Sequence, residues 1–179
     1  MAYMLELDVD EYGMLDGGEE IFPVKVSDHD RRRAYPPLGQ PVEFTWEQGD
    51  SEVRPNVFYY PYIDNFVCDV SAYEILSTSP GCIHTIATGE LERKNLFLVQ
   101  VTTIIDCIVD LQGSVIQSYP SYEILAFPAF RASKRHAMAR RIFRVPENLS
   151  LIFVGVELKR SLDEAGIRGF RYLPVDWVN

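Results

Sequence analysis

The fold is indicated first by residues 149–175, which read LSLIFVGVELKRSLDEAGIRGFRYLPV. The run LSLIFV is apolar and rich in branched side chains, which predicts a buried strand. Beyond it, Leu158, Leu162 and Ala165 fall on one face of a helix, and Gly166 suits the left-handed position after the last turn. FRYLPV then predicts another strand. The segment is therefore read as a strand–helix–strand unit.

A similar order of elements begins about 87 residues upstream. Residues 66–68 predict a strand, Ser71 and Glu74 have the spacing of a helix N-terminal capping pair, and residues 82–88 predict a second strand. Identity between the two stretches is slight. A true internal repeat and a merely similar element order are both open interpretations.

The remaining patterns complete a single α+β domain over residues 1–179, with a mixed sheet and two or three short helices. In the opening strand, Tyr3, Leu5 and Leu7 share one face. Residues 102–110 could continue the preceding strand or form a helix, and the helix is favoured; a further helix is predicted within residues 129–139. The other predicted strands are residues 1–10, 21–26, 41–46, 95–101, 122–127 and 142–145.

Size and composition are those of an ordinary globular domain. The chain has 179 residues, 47% of them hydrophobic and 24% charged, which argues against wholesale disorder and collagen-like repeats. Its start has no basic segment followed by an apolar one, so no secretory signal is predicted. The longest apolar-rich stretch, residues 96–109, contains four polar positions and is too short to span a bilayer. A cytoplasmic protein is expected.

Charge is unevenly distributed. Seventeen basic and 26 acidic residues give a net charge of −9, and residues 1–60, with 13 acids and 5 bases, contribute −8 of it. Such a balance argues against nucleic-acid and anionic-membrane partners and favours a basic protein partner. Residues 131–144 are a local exception with six bases and no acid. They are interpreted as a solvated helix face or, alternatively, as an anion-binding patch.

Chemistry-bearing motifs are sparse. The sequence contains no phosphate-binding glycine loop, no G-x-S-x-G elbow and no H-E-x-x-H helix. Cys68, Cys82 and Cys107 are expected to be buried, reduced thiols, with burial raising the pKa of Cys107. Cys82 and His84 share a strand face, but paired metal-ligand spacing is missing, so no metal and no cofactor are expected. A small enzyme with a Cys/His or carboxylate site is the alternative.

The candidate partner-binding surface combines acidic and aromatic residues. Acidic side chains would steer a basic partner, and tyrosines provide rigid contact area with a polar tip. The same aromatic run could instead be a core strand. The candidate residues are Glu47, Asp50, Glu52, Phe58, Tyr59, Tyr60 and Tyr62.

Residues 60–179 resemble the immunity proteins of bacterial polymorphic-toxin systems, in particular the family numbered eleven. The resemblance consists of spaced apolar residues and glycines in residues 142–147, 152–154 and 165–175, with Leu162 between them. Upstream, residues 66–110 are similar to the middle of that family. Two features depart from the pattern: no serine caps the last helix near Gly155, and the acidic first third has no counterpart.

The resemblance implies a non-enzymatic cytoplasmic protein that binds a cognate toxin and occludes its active site. No cofactor is implied. Because many such toxins are basic enzymes, an acidic inhibitor would meet them quickly through long-range attraction. Because residues 1–60 have no counterpart in the family, the partner's identity cannot be inferred from the resemblance.

Overall fold

The secondary structure is dominated by strands. The computed structural model describes residues 1–7, 14–16, 34–38, 41–48, 54–59, 66–79 and 81–179, and the strand predicted at 21–26 lies outside them. The strands are β1 (Ala2–Leu7), β2 (Met14–Asp16), β3 (Val42–Glu43), β4 (Thr45–Gln48), β5 (Val57–Tyr59), β6 (Phe66–Asp69), β7 (Ile83–Leu91), β8 (Lys94–Val101), β9 (Val109–Tyr119), β10 (Tyr122–Arg131), β11 (Ile142–Val145), β12 (Asn148–Gly155), β13 (Phe170–Pro174) and β14 (Asp176–Val178). Helices α1 (Val70–Leu76) and α2 (Val156–Glu164) and a 3-10 helix (Ala132–Met138) accompany them.

The described strands form three sheets. Their orders are β11-β12-β1-β13, β14-β10-β9 and β3-β7-β8-β6-β5-β2-β4. Parallel pairs occur at β3–β7, β2–β5 and β10–β14, whereas the other pairs are antiparallel. The α+β class with mixed sheets is therefore confirmed.

Both predicted strand–helix–strand stretches are present, and they share a topology. In the first, β6 and β7 lie on either side of the antiparallel strand β8. In the second, β12 and β13 lie on either side of β1 in the same way. The central strand β8 follows β7 through a tight turn, whereas β1 comes from the opposite end of the chain.

The buried residues of α1 have buried counterparts in α2, each 86 residues later in the chain. Ala72 and Leu76 of α1 are buried, and so are Leu158 and Leu162 of α2. All four belong to one apolar cluster that joins the two units. The helices therefore pack against the same core.

The next helix position also matches. Tyr73 in α1 stacks on Phe97 of β8, with ring centroids 4.3 Å apart. Lys159 in α2, 86 positions later, places its Nζ 4.4 Å from the ring centroid of Tyr172 and 5.2 Å from that of Tyr3 on β1. The two units thus cover their central strands in the same manner with different chemistry.

Helix α1 begins two residues earlier than predicted. The N-cap is Asp69, whose Oδ1 accepts from the Ala72 N–H at 3.0 Å, so the prediction that Ser71 caps the helix is wrong. The other carboxylate oxygen accepts from Asn56 Nδ2 at 2.8 Å. The second bond fixes the side chain, which explains why the aspartate and not the serine caps the helix.

We expect Asp69→Ala to lower the free energy of unfolding by about 1–2 kcal/mol, because one N-cap bond and one side-chain bond are lost. Urea unfolding followed by circular dichroism measures this change. Ser71→Ala is the matched control, since Ser71 is exposed and is not the N-cap, and it should change stability little. Equal losses in the two variants would contradict the cap assignment.

Two helix predictions are corrected by backbone pairing. A helix was favoured within residues 102–110, but Thr103 O accepts from the Arg144 N–H at 2.8 Å and the Ile105 N–H donates to Arg144 O at 3.0 Å, so residues 103–105 lie along β11. The turn that follows places Cys107 at a φ of 58° and leaves it exposed, contrary to the expected burial. The basic segment predicted at 129–139 continues β10 before it becomes a 3-10 helix.

Candidate partner-binding surface

A cleft of about 780 Å³ lies beside the short parallel pair of β3 and β7. Val42 pairs with Gly89 and Glu43 with Glu90, and the Phe44 N–H donates to Glu90 O at 3.2 Å. Val42 and Phe44 are buried in an apolar cluster, so the cleft has a fixed apolar wall. A wall of this kind holds the polar rim in place.

Gly89 makes this wall possible. A Cβ atom at this position would lie 2.2 Å from the backbone oxygen of Val42 and 2.5 Å from Cε2 of Phe44. Both distances are shorter than any van der Waals contact, and the first is to backbone. Glycine is thus required for β3 to approach β7.

The rim of the cleft is acidic. Glu43, Glu90 and Glu92 all line it and are exposed, whereas no lysine or arginine among the described residues lines it. The Arg54 guanidinium compensates one of these charges through a 2.8 Å ion pair with Glu92. Glu43 and Glu90 are register partners on neighbouring strands, so two like charges lie side by side. A cationic side chain bound between them would relieve this repulsion.

The cleft lies next to Trp46, which directly precedes the first predicted contact residue, Glu47. Trp46 Nε1 donates to Glu92 Oε1 at 3.3 Å, and Arg54 lies 4.5 Å above the Trp46 ring. Glu47 follows Trp46 directly in β4. The strand that contains Glu47 and the acidic rim of the cleft are therefore close together.

The predicted contact residues have different placements. Phe58 is 6% exposed and packs on Trp46 with ring centroids 5.7 Å apart, as expected of the core-strand interpretation. Glu47 and Tyr59 lie in β4 and β5, and nothing is described of their side chains. Asp50, Glu52, Tyr60 and Tyr62 lie outside the described residues. For all but Phe58, a contact role stays a prediction.

The acids of the cleft could not be predicted from the sequence, because Glu43 lies far from the other two in the chain. Glu43 and Glu90 are separated by 47 positions, and each follows an apolar or small residue in an ordinary strand pattern. The parallel pairing of β3 with β7 brings them together, and no spacing rule could have found that pairing.

The cysteines and the histidine considered for an enzyme site are buried or hydrogen-bonded within the fold. Cys68 and Cys82 are buried, and burial together with the neighbouring Asp69 carboxylate raises the pKa of the Cys68 thiol. His84 Nε2 lies 2.9 Å from the backbone oxygen of Tyr35. Within the described part of the chain, no group of three or more His, Cys, Asp and Glu side chains is arranged to hold a metal ion.

The basic segment does not form one continuous patch. Arg144 is 2% exposed and belongs to the interior. Arg140 pairs with Glu157 of α2, and this hydrogen bond lowers the pKa of the Glu157 carboxyl. Arg135 lies 4.9 Å over the Trp177 ring. Because these three arginines are buried or already in contact with other side chains, the anion-binding interpretation is weakened.

The comparisons with known proteins give no identity: no family model matches the chain, and no curated protein matches its sequence. In the described residues, no helix is both long and apolar enough to cross a membrane. The likeness to immunity proteins therefore rests on the spaced residues named above.

Proposed function

We propose that this protein is a cytoplasmic immunity protein that binds a basic toxin domain and blocks its active site. The observation that carries the proposal is the acidic cleft at β3 and β7, next to the segment in which the acidic and aromatic candidates are concentrated. Its three glutamates, only one of them paired with a described cation, provide the complementary charge for a basic partner.

The partner's chemistry follows from the cleft. An apolar wall beside carboxylates suits a lysine or arginine side chain, whose aliphatic stem packs on Phe44 while its charged end meets Glu43 and Glu90. The net charge of −9 adds long-range attraction and raises the association rate. Occlusion then needs no catalytic group on this chain.

The test uses the C-terminal domain of the protein encoded immediately upstream, which the proposal requires to be toxic, expressed with and without this chain. We expect rescue of growth and a purified complex. Charge reversal at the rim, Glu43→Lys with Glu90→Lys, should lower the association rate about tenfold and weaken its dependence on salt. Stopped-flow or surface-immobilised binding measurements give both quantities.

The matched control is Glu147→Lys with Glu164→Lys, which changes the net charge equally. Both glutamates are exposed and neither lines the cleft. An equal loss of rate in the two double variants would reduce the effect to net charge and contradict the assignment to the cleft. Absence of binding and of rescue with the neighbouring domain would overturn the proposed function.

A further inference from the structure

The β9–β10 hairpin carries an unusual concentration of exposed apolar side chains. Nine large hydrophobic side chains are exposed among the described residues, and seven of them belong to this hairpin. These are Leu111, Val115, Ile116, Tyr119, Tyr122, Ile124 and Phe127. Single exposed apolar residues are normal, whereas a contiguous set marks an interaction site.

Most of this set lies on one face. Val115, Gln117 and Tyr119 alternate along β9, and their register partners on β10 are Phe127, Ile124 and Tyr122. We call these six residues the hairpin stripe. The Tyr119 and Tyr122 rings stack 4.7 Å apart, so the stripe has an ordered aromatic end.

Part of the opposite face meets the core at Leu125, whereas Ile116 and Ser118 on that face are exposed. Leu125 is 5% exposed and belongs to the apolar cluster that also contains Phe130 and Phe153. The hairpin is thus anchored on one side by its own fold. The stripe on the other side is left to a partner.

Charge shows what kind of partner the stripe fits. Residues 111–122 contain no charged side chain, although 24% of the chain is charged. A basic partner would find no complementary carboxylate there, since Glu123 alternates to the other face, opposite Ser118. By contrast, two identical uncharged stripes can approach each other in spite of the net charge of −9.

The strand edge agrees with self-association. β9 is 11 residues long and lies at the end of the order β14-β10-β9. Among the described strands, those at the other sheet ends have two to five residues. From 111 to 119, β9 also lacks the proline and lysine that commonly protect a long edge.

The exposed area suits a weak, reversible dimer. The five apolar side chains of the stripe are each between 37% and 57% exposed. With roughly 150–250 Å² for a fully buried aromatic side chain, the three aromatic residues alone offer about 300 Å² per copy, to which Val115 and Ile124 add. Two copies would then bury more than about 600 Å², which is in the range of weak, transient interfaces.

We propose that the hairpin stripe is a self-association surface, on which a second copy of this chain packs its own stripe about a two-fold axis. The arrangement is isologous: Tyr119, Tyr122, Ile124 and Phe127 of each copy face the same residues of the other. It involves the three-stranded sheet, whereas the acidic cleft involves β3 and β7. It does not depend on the proposed toxin-binding function.

Sedimentation velocity on the isolated full chain tests the proposal over a range of concentrations. The expected result is a concentration-dependent dimer. Ile124→Lys should raise its dissociation constant at least about a hundredfold, because an unpaired charge would be buried in the interface. The control Ser118→Lys adds the same charge on the opposite face, beside Glu123, and should leave the dimer intact.

Circular dichroism of each variant separates loss of association from loss of folding, and Phe127→Gln is a second stripe variant that adds no charge. A spin label at position 117 should report a short distance between the two copies. A monomer at every concentration would overturn the proposal. So would a dimer that both stripe variants leave unchanged, because another surface would then form it.

Discussion

A chain that lacks residues 1–7 is expected not to fold, although these residues are only its first strand. β1 lies between β12 and β13, with Leu5 opposite both Ile152 and Tyr172. Both of its faces are covered: Ala2 and Met4 belong to one apolar cluster, and Leu5 packs against another. Removal would leave two facing strand edges without partners and two clusters open to water.

The loss should appear in circular dichroism as the absence of a cooperative thermal transition. A single substitution gives a graded version: Met4→Asp should cost at least about 3 kcal/mol, because a carboxylate would enter an apolar cluster. Glu6→Gln is the control on the same strand. Its carboxylate lies 3.7 Å from exposed Arg171, so its loss should stay within about 0.5 kcal/mol. Cooperative unfolding of the shortened chain would contradict the central role of β1.

Substitution of Gly155 by alanine should be strongly destabilising. The added Cβ would lie 1.8 Å from the backbone oxygen of Met138 and 2.5 Å from that of Ala139. These atoms cannot yield freely, because the oxygen of Ala139 accepts from the Glu157 N–H at 2.8 Å. We expect a loss of at least about 3 kcal/mol, measured by urea unfolding.

The same contact explains how α2 begins without a capping side chain. Gly155 is the N-cap and makes no side-chain bond. Instead, Ala139 O accepts from Glu157 and Leu158, and Met1 O accepts from the Val156 N–H. The missing serine of the family pattern is thus replaced by carbonyl groups from two distant segments.

Gly166→Ala is the matched control for Gly155→Ala. Gly166 follows the same helix at a φ of 69°, but no atom lies within 4 Å of a Cβ placed there. The cost should be only that of a left-handed alanine, about 1 kcal/mol. If Gly155→Ala cost no more than this control, close backbone packing at Gly155 would be refuted.

The two proposed surfaces can be altered separately, because they use different strands. Rim variants at Glu43 and Glu90 leave the hairpin stripe unchanged, and stripe variants leave the cleft unchanged. A toxin that binds the cleft could therefore meet a dimer with two such clefts. Binding stoichiometry in the stripe variants would show whether the dimer matters for neutralisation.

Sequence patterns correctly predicted the elements whose apolar side chains pack into the core. The spacing of Leu158 and Leu162 gave helix α2, and the apolar run at 95–101 gave the central strand β8. Local patterns failed where a backbone partner was decisive. Ile104, Ile105 and Ile108 have helical spacing, but the hydrogen bonds to Arg144 hold residues 103–105 extended beside β11.

The candidate site was predictable only in its general character. The acidic excess of residues 1–60 led to the prediction of a basic partner, and Glu43 of the cleft belongs to that segment. Its companions Glu90 and Glu92 come from a part of the chain whose net charge is close to zero. The hairpin stripe was missed because residues 111–121 were assigned to no element, and exposure of apolar side chains cannot be read from composition.

The sequence by itself determined the α+β class, the strand–helix–strand units and the sign of the protein's charge, since each depends on neighbouring residues or on a sum over the chain. The tertiary structure alone decided that the first strand completes the last unit, that backbone carbonyls cap α2 and that three separated glutamates share one rim. These features arise from contacts between segments far apart in the chain. The energy of such contacts depends on burial and register, which local periodicity does not specify.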